Sequence, residues 1–207
     1  MHPSAPECDK IMRYIIMKHV SFGDTSERGK RPHPFYIATL LFGLAASVFF
    51  PFAAPGQTFE DADSIRLKVD ALYHDFSSRH PEIPDITVDD FLSLKEEDGV
   101  VLVDNRMPEE RAVSMIPGAI TDDEFESDRE EYKDAVIVVY CTIGVRSGRY
   151  AKKLVRRGYN AFNLAGGVLA WAHTGGGFVD PHGDRTDRVH VYGEEWSLLP
   201  PGYSPVW

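Results

Sequence analysis

VIVVYCTIGVRSGRYAKKL, residues 136–154, decides how this chain folds. Four aliphatic residues and a tyrosine lead to Cys141; Gly144 and Arg146 follow, and helical spacing runs from Ser147 to Arg157. An apolar, β-branched run without alternation reads as a strand covered on both faces. Gly158 then supplies the stop of a helix. The unit is strand, tight loop and helix, with a cysteine at the strand's carboxyl end.

The same alternation continues on both sides. VVLVDNR (100–106) is a second buried strand. PEERAVS (108–114) begins with a proline suited to a helix's first turn, and IPGAI (116–120) turns into a short strand. The acidic stretch 122–132 reads as a solvated helix or loop, NAFNLAG (160–166) as a strand ending in glycine, and GVLAWAH (167–173) as a short helix. Upstream, Ile65, Val69, Leu72 and Phe76 fall on one face of a helix over 62–78, which PEIPD (81–85) breaks. ITVDDFLSLKEED (86–98) then gives a short strand, a helix capped near Asp89 and a polar stop. Strands alternating with helices predict a parallel α/β sheet, whose ligands bind beyond the carboxyl ends of strands.

The charge distribution narrows the partners. Of 207 residues carrying a net charge of −10, the first 33 hold six basic residues (Lys10, Arg13, Lys18, Arg28, Lys30, Arg31) against four acidic ones (Glu7, Asp9, Asp24, Glu27). The negative charge therefore lies in the remainder, which repels nucleic acid and anionic lipid headgroups. Residues 35–54, FYIATLLFGLAASVFFPFAA, form an uncharged run long enough to span a bilayer, with Arg28, Lys30 and Arg31 just before it. A membrane anchor and a cleaved signal peptide both fit; Ala53 and Ala54 resemble a cleavage region, whereas the long leader favours an anchor. Either places the body in the periplasm or another extracytoplasmic space, and membrane contact is expected only through this segment.

Cys8 stands in the leader and Cys141 in the body, so no disulfide can form within an exported body. An unpaired cysteine in such a compartment reads either as a reactive thiol or as a small buried hydrophobe. Its neighbours favour the thiol. Loop amides before a helix start can turn inward as a nest, and the helix dipole adds partial positive charge. A sulfur held there is favoured as thiolate, the nucleophilic form. Gly144 permits a turn that a side chain obstructs, and Arg146 can hold the loop or an incoming anion with its planar fork.

Residues 141–147 resemble the active-site loop of the rhodanese-like, or sulfurtransferase, superfamily. VLVDNRMPEERAVSMIPGAI (101–120) is similar to that family's strand with Asp-x-Arg, Pro-Glu-Glu and the Ile-Pro-Gly-Ala turn, and FNLAGGVLAW (162–171) to its closing glycine pair and tryptophan. The resemblance implies a three-layer α/β sandwich around a five-stranded parallel sheet. It makes Cys141 the nucleophile that accepts a sulfane sulfur as a persulfide, cradled by Thr142, Ile143, Gly144, Val145, Arg146 and Ser147. The partners are then a small sulfur-containing anion as donor and a thiol, cyanide or thiol-carrier protein as acceptor, with no cofactor and no metal. A non-catalytic sulfide- or persulfide-binding module is the alternative. Phosphatases and arsenate reductases of this fold have five residues between cysteine and arginine; here there are four. Met115 and Arg111 replace a histidine and an aromatic residue common in the family, and Thr142 a basic residue common in thiosulfate users.

By the same resemblance Asp104 and Arg106 belong to the pocket rim or to structural ion pairs, and Arg149 can face the pocket mouth. Leu164 and Trp171 read as core. The organisation expected is a basic leader (1–34), the apolar segment (35–54), a helical lead-in (60–86), the rhodanese-like domain (87–174) and a tail (175–207). The tail's His182 and His190 lack metal-ligand spacing; Trp196, Tyr203 and Trp207 read as packing it across the domain.

Overall fold

The computed structural model describes residues 61–95 and 97–207. The leader and the apolar run at 35–54 lie outside them. Among the described residues no helix is long and apolar enough to cross a membrane.

The chain runs α1 (Ala62–Ser78), β1 (Asp85–Ile86), α2 (Val88–Leu94), β2 (Val100–Asp104), α3 (Pro108–Arg111), β3 (Ile120–Thr121), α4 (Asp122–Ser127), β4 (Val136–Tyr140), α5 (Val145–Arg156), β5 (Asn160–Leu164) and α6 (Gly167–His173). Strands β1 to β5 form one parallel sheet in the order β1-β5-β4-β2-β3. The strand–helix alternation predicts a parallel sheet, and the family resemblance implies its five strands flanked by helices; both are present.

The sheet is sandwiched because side chains alternate across each strand. On β4, Val136, Val138 and Tyr140 enter a core with Ile86, Phe91, Leu102, Phe162, Leu164 and Trp171, beneath α2 and α6. Ile137 and Val139 point the other way, to Val103, Phe125, Ala151 and Leu154 of β2, α4 and α5. Every residue of β4 is buried.

Local signals set the helix ends. The Asp61 carboxylate accepts the Ser64 amide at 2.7 Å. Thr121 and Glu124 form a capping box at α4. Thr87, two residues before Asp89, caps α2 by accepting the Asp90 amide at 3.1 Å. In α1, Leu72 is exposed and Tyr73 turns toward the sheet in its place, since Tyr73 continues the Val69 stripe at four-residue spacing. Gly158, at φ 87°, ends α5 as expected.

The remainder adds β6 (Phe178–Val179), β7 (Arg185–Thr186), β8 (Arg188–His190), a 3₁₀ turn (Glu194–Trp196) and β9 (Ser204–Val206). β6 pairs antiparallel with β7, and β8 parallel with β9. Two hydrogen bonds between Met115 and Val179, at 2.8 and 3.0 Å, join this segment to the loop after α3. Phe178, Val189, Val191 and Leu199 belong to the same core as β4. Trp196 and Tyr203 pack against that core, whereas Trp207 is exposed, so the packing expected of it does not occur.

Candidate active site

The central strand ends at Tyr140, and Cys141 is the next residue, 2% exposed. Its sulfur accepts the Gly144 amide at 3.2 Å. Gly144 caps α5 in the left-handed region, φ 102°, and a Cβ there would stand 2.6 Å from the Tyr73 ring. Glycine is required on both counts. The helix therefore begins at Val145, two residues earlier than the sequence predicts, and Arg146 lies within its first turn.

The backbone carbonyls of the loop are turned outward. Cys141 O accepts the Val168 amide at 3.0 Å and Thr142 O the Leu169 amide at 3.2 Å. α6 approaches so closely that a Cβ on Gly167 would meet Cys141 O at 2.2 Å. That contact gives the second glycine of the Leu-x-Gly-Gly stretch its physical meaning: it lets one helix start dock on another's cap.

Arg146 does not reach freely toward an incoming anion. Its guanidinium pairs with Glu110 of α3 through two hydrogen bonds, at 2.6 and 2.7 Å, and donates to the Thr142 hydroxyl at 3.2 Å. The Thr142 hydroxyl donates in turn to Glu110 at 3.0 Å, and the Met107 amide does so at 2.8 Å. Burial pushes the Glu110 carboxyl upward, but the Arg146 fork and these donors hold it below the usual carboxylate range. Burial likewise opposes the charge on Arg146, and Glu110 and the adjacent Cys141 sulfur overcome it, so the guanidinium titrates higher than usual.

Ser147 is fully buried and faces away from the cradle, donating to Asn163 of β5 at 2.6 Å. Asn163 donates onward to the Tyr73 hydroxyl at 2.8 Å and to Asp85 at 3.0 Å. This chain of polar side chains ties α1, β1, β5 and α5 together behind Gly144. Burial, with Asp85 beside it, raises the Tyr73 hydroxyl well above its ordinary range.

A cavity of about 240 Å³ opens above the cysteine, lined by Cys141, Thr142, Ile143, Val145, Arg146, Tyr192 and Trp196. Asp104 and Arg106 are absent from its rim. Both are buried in an ion pair at 2.7 Å beneath the sheet's carboxyl edge, where the Tyr140 hydroxyl donates to Asp104 and Arg106 donates to Ser114 O. Their opposite charges compensate each other out of water, and the Arg106 backbone amide also donates to Asp104 at 2.9 Å, which holds the turn after β2. Arg149 is exposed and does not line the cavity. A second cavity of about 240 Å³, between α1, α2 and α6, contains no cysteine. Among the described residues no group of three or more His, Cys, Asp or Glu side chains could hold a metal ion.

Glu110, Asn163, Tyr73, Tyr192 and Trp196 join the site from elements that sequence spacing does not connect. Glu110 had a faint signal, as the second glutamate of Pro-Glu-Glu; the others had none.

The family model for the rhodanese-like domain matches residues 87–174. A protein of Allochromatium vinosum named "Sulfurtransferase" is 37% identical over 100 residues, 44% of this chain and 88% of that one. YtwF of Bacillus subtilis is 33% identical over 81 residues, 38% of this chain and 79% of that one. Among solved structures, a rhodanese-like domain protein from Staphylococcus aureus is 33% identical, covering 42% of this chain and 90% of its own, with a TM-score of 0.37. The chain belongs to the rhodanese-like family.

Proposed function

We propose that this protein is a sulfurtransferase in which Cys141 carries a sulfane sulfur, as a persulfide, from a donor to a thiol or cyanide acceptor. The observation that carries this reading is the Cys141 sulfur at the carboxyl end of the central strand, receiving the Gly144 amide at 3.2 Å beneath an open cavity. Amides at a helix start stabilise an anionic sulfur, and the adjacent Arg146 guanidinium adds positive charge beside it. The name of the Allochromatium relative supports the same class.

In the first half-reaction the Cys141 thiolate attacks the donor's outer sulfur. A new S–S bond forms, the donor's S–S bond breaks, and the leaving group departs with its electron pair. In the second, the acceptor attacks the outer sulfur of the persulfide, and the Cys141 thiolate leaves. The two halves balance without a cofactor or outside oxidant. The backbone of residues 142–146 holds the charge on the transferred sulfur. Arg146, anchored by Glu110, holds in place the four-residue loop, one residue shorter than the oxyanion-binding loops of this fold.

The uncharged run at 35–54 and the basic residues before it support an extracytoplasmic site of action. A reporter active only outside the cytoplasm, fused after residue 60, tests the address; a silent reporter overturns it.

Thiocyanate formation from cyanide and either thiosulfate or polysulfide tests the chemistry. The full chain should turn over and Cys141→Ser should not. Loading of Cys141 without turnover would instead define a sulfur-binding module.

A further inference from the structure

The cavity above Cys141 is closed on one side by two residues that follow the span matched by the family model. Tyr192 and Trp196 come from the segment between β8 and β9. Tyr192 is the non-glycine residue at positive φ, 75°, among the described residues. Such a conformation persists only where its surroundings hold it. Here Val191 is fully buried, its amide bonded to Val206 O at 2.8 Å, and the Tyr192 amide donates to His190 Nδ1 at 3.1 Å. The Tyr192 ring, 62% exposed, lies over the Arg146 guanidinium with 5.4 Å from its central carbon to the ring centroid. Trp196 rests on the main core through its 3₁₀ turn. The wall is built into the fold.

Its chemistry is apolar. Ile143, Val145, Trp196 and the Tyr192 ring surround the approach to the sulfur. The charged side chain among the lining residues is Arg146, and its fork is already matched by Glu110, with the Thr142 hydroxyl engaged in the same cluster. Thiosulfate brings two negative charges, of which the cradle can take the one near the reacting sulfur. Its sulfonate would lose water against aliphatic and aromatic walls, which is unfavourable. The acidic body adds long-range repulsion of a dianion. A persulfide with an aromatic or aliphatic body keeps its reacting sulfur in the cradle and buries that body on the rings.

We propose that Tyr192 and Trp196 are specificity residues that make an organic persulfide with an apolar body, rather than thiosulfate, the preferred sulfur donor. The Cys141 thiolate attacks the terminal sulfur of R–S–S–H. The new S–S bond forms on Cys141, the old one breaks, R–S⁻ leaves with the electron pair, and the proton stays with the transferred sulfur. This proposal rests on the persulfide-carrier reading.

The test compares loading of Cys141 in the full chain by benzyl persulfide, generated in situ, and by thiosulfate, following kcat and KM for each. The wild type should favour benzyl persulfide by about tenfold or more in kcat/KM. Tyr192→Ala and Trp196→Ala should each cut that preference to within about threefold, mainly through KM, whereas Tyr192→Phe and Trp196→Phe should retain it. Tyr192 is largely exposed, so its alanine variant stays informative if Trp196→Ala fails to fold. A wild type that prefers thiosulfate, or a preference untouched in Tyr192→Ala, overturns the proposal and leaves the carrier reading standing. Absence of loading from both donors overturns the carrier reading and the proposal with it.

Discussion

Arg146 and Glu110 stand 36 residues apart and meet through two hydrogen bonds, at 2.6 and 2.7 Å. The pair ties the first turn of α5 to α3 and, through the Thr142 hydroxyl, fixes the loop that carries Cys141. Glu110 is 1% exposed, so its carboxylate depends on these donors for compensation of its charge.

Removing the fork should therefore cost both stability and loading. Arg146→Ala is expected to lose about 2 kcal/mol in urea unfolding, because a charged acceptor is left under-satisfied. Its rate of sulfur loading should fall further than that of Arg146→Lys, since an ammonium keeps the charge but not the two parallel bonds. Near-wild-type loading in both variants would show that the fork is incidental.

The same pair sets a pH dependence. The folded-state pKa of Glu110 is lowered, so its stabilisation is fully present above the unfolded value of about 4.3 and is lost as pH falls through the lower folded value. Between about pH 5 and pH 3 the wild type should lose more unfolding free energy than Glu110→Gln, whose amide does not titrate. Parallel stability curves for the two proteins would contradict this.

Gly144→Ala combines two faults, a φ of 102° and a Cβ 2.6 Å from the Tyr73 ring. A destabilisation of about 1–3 kcal/mol should accompany loss of sulfur loading, as the displaced amide can no longer serve the Cys141 sulfur. Thermal unfolding and single-turnover loading measure the two effects. A fully active, equally stable alanine variant would mean that the loop has another accessible conformation.

Tyr140→Phe should separate fold from function. The Tyr140 hydroxyl donates to Asp104 and accepts the Ile116 amide at 3.1 Å, behind the cavity. Its loss should cost about 1–2 kcal/mol in chemical denaturation with loading kinetics unchanged. Loading that falls in proportion to stability would join the Asp104–Arg106 pair to the site after all.

The strand–loop–helix around Cys141 was legible in the sequence because β4 is buried on both faces and therefore reads as an unbroken apolar run. Gly144 was legible because few residues other than glycine adopt its conformation at a helix cap. Arg146 was legible as a residue but not as a partner: its fork engages Glu110, a pairing across 36 residues that helical or strand periodicity does not encode. The resemblance puts Ser147 in the cradle, yet it turns to Asn163, because a helix beginning at Val145 swings residue 147 toward the sheet. Asp104 and Arg106 were legible as a charged pair, but strand position alone does not distinguish a rim from a buried turn. The share of Tyr192 and Trp196 in the cavity wall depends on how β8 and β9 bring the chain back over the loop, a long-range pairing without local signature.

Peptide mass analysis of the full chain after incubation with a sulfane-sulfur donor addresses Cys141 most directly. The Cys141 peptide should gain the mass of one sulfur atom, lose it on addition of cyanide as thiocyanate appears, and gain nothing in Cys141→Ser. An unmodified Cys141 peptide in a protein that still forms thiocyanate, or turnover retained in Cys141→Ser, would contradict the assignment of Cys141 as the sulfur carrier.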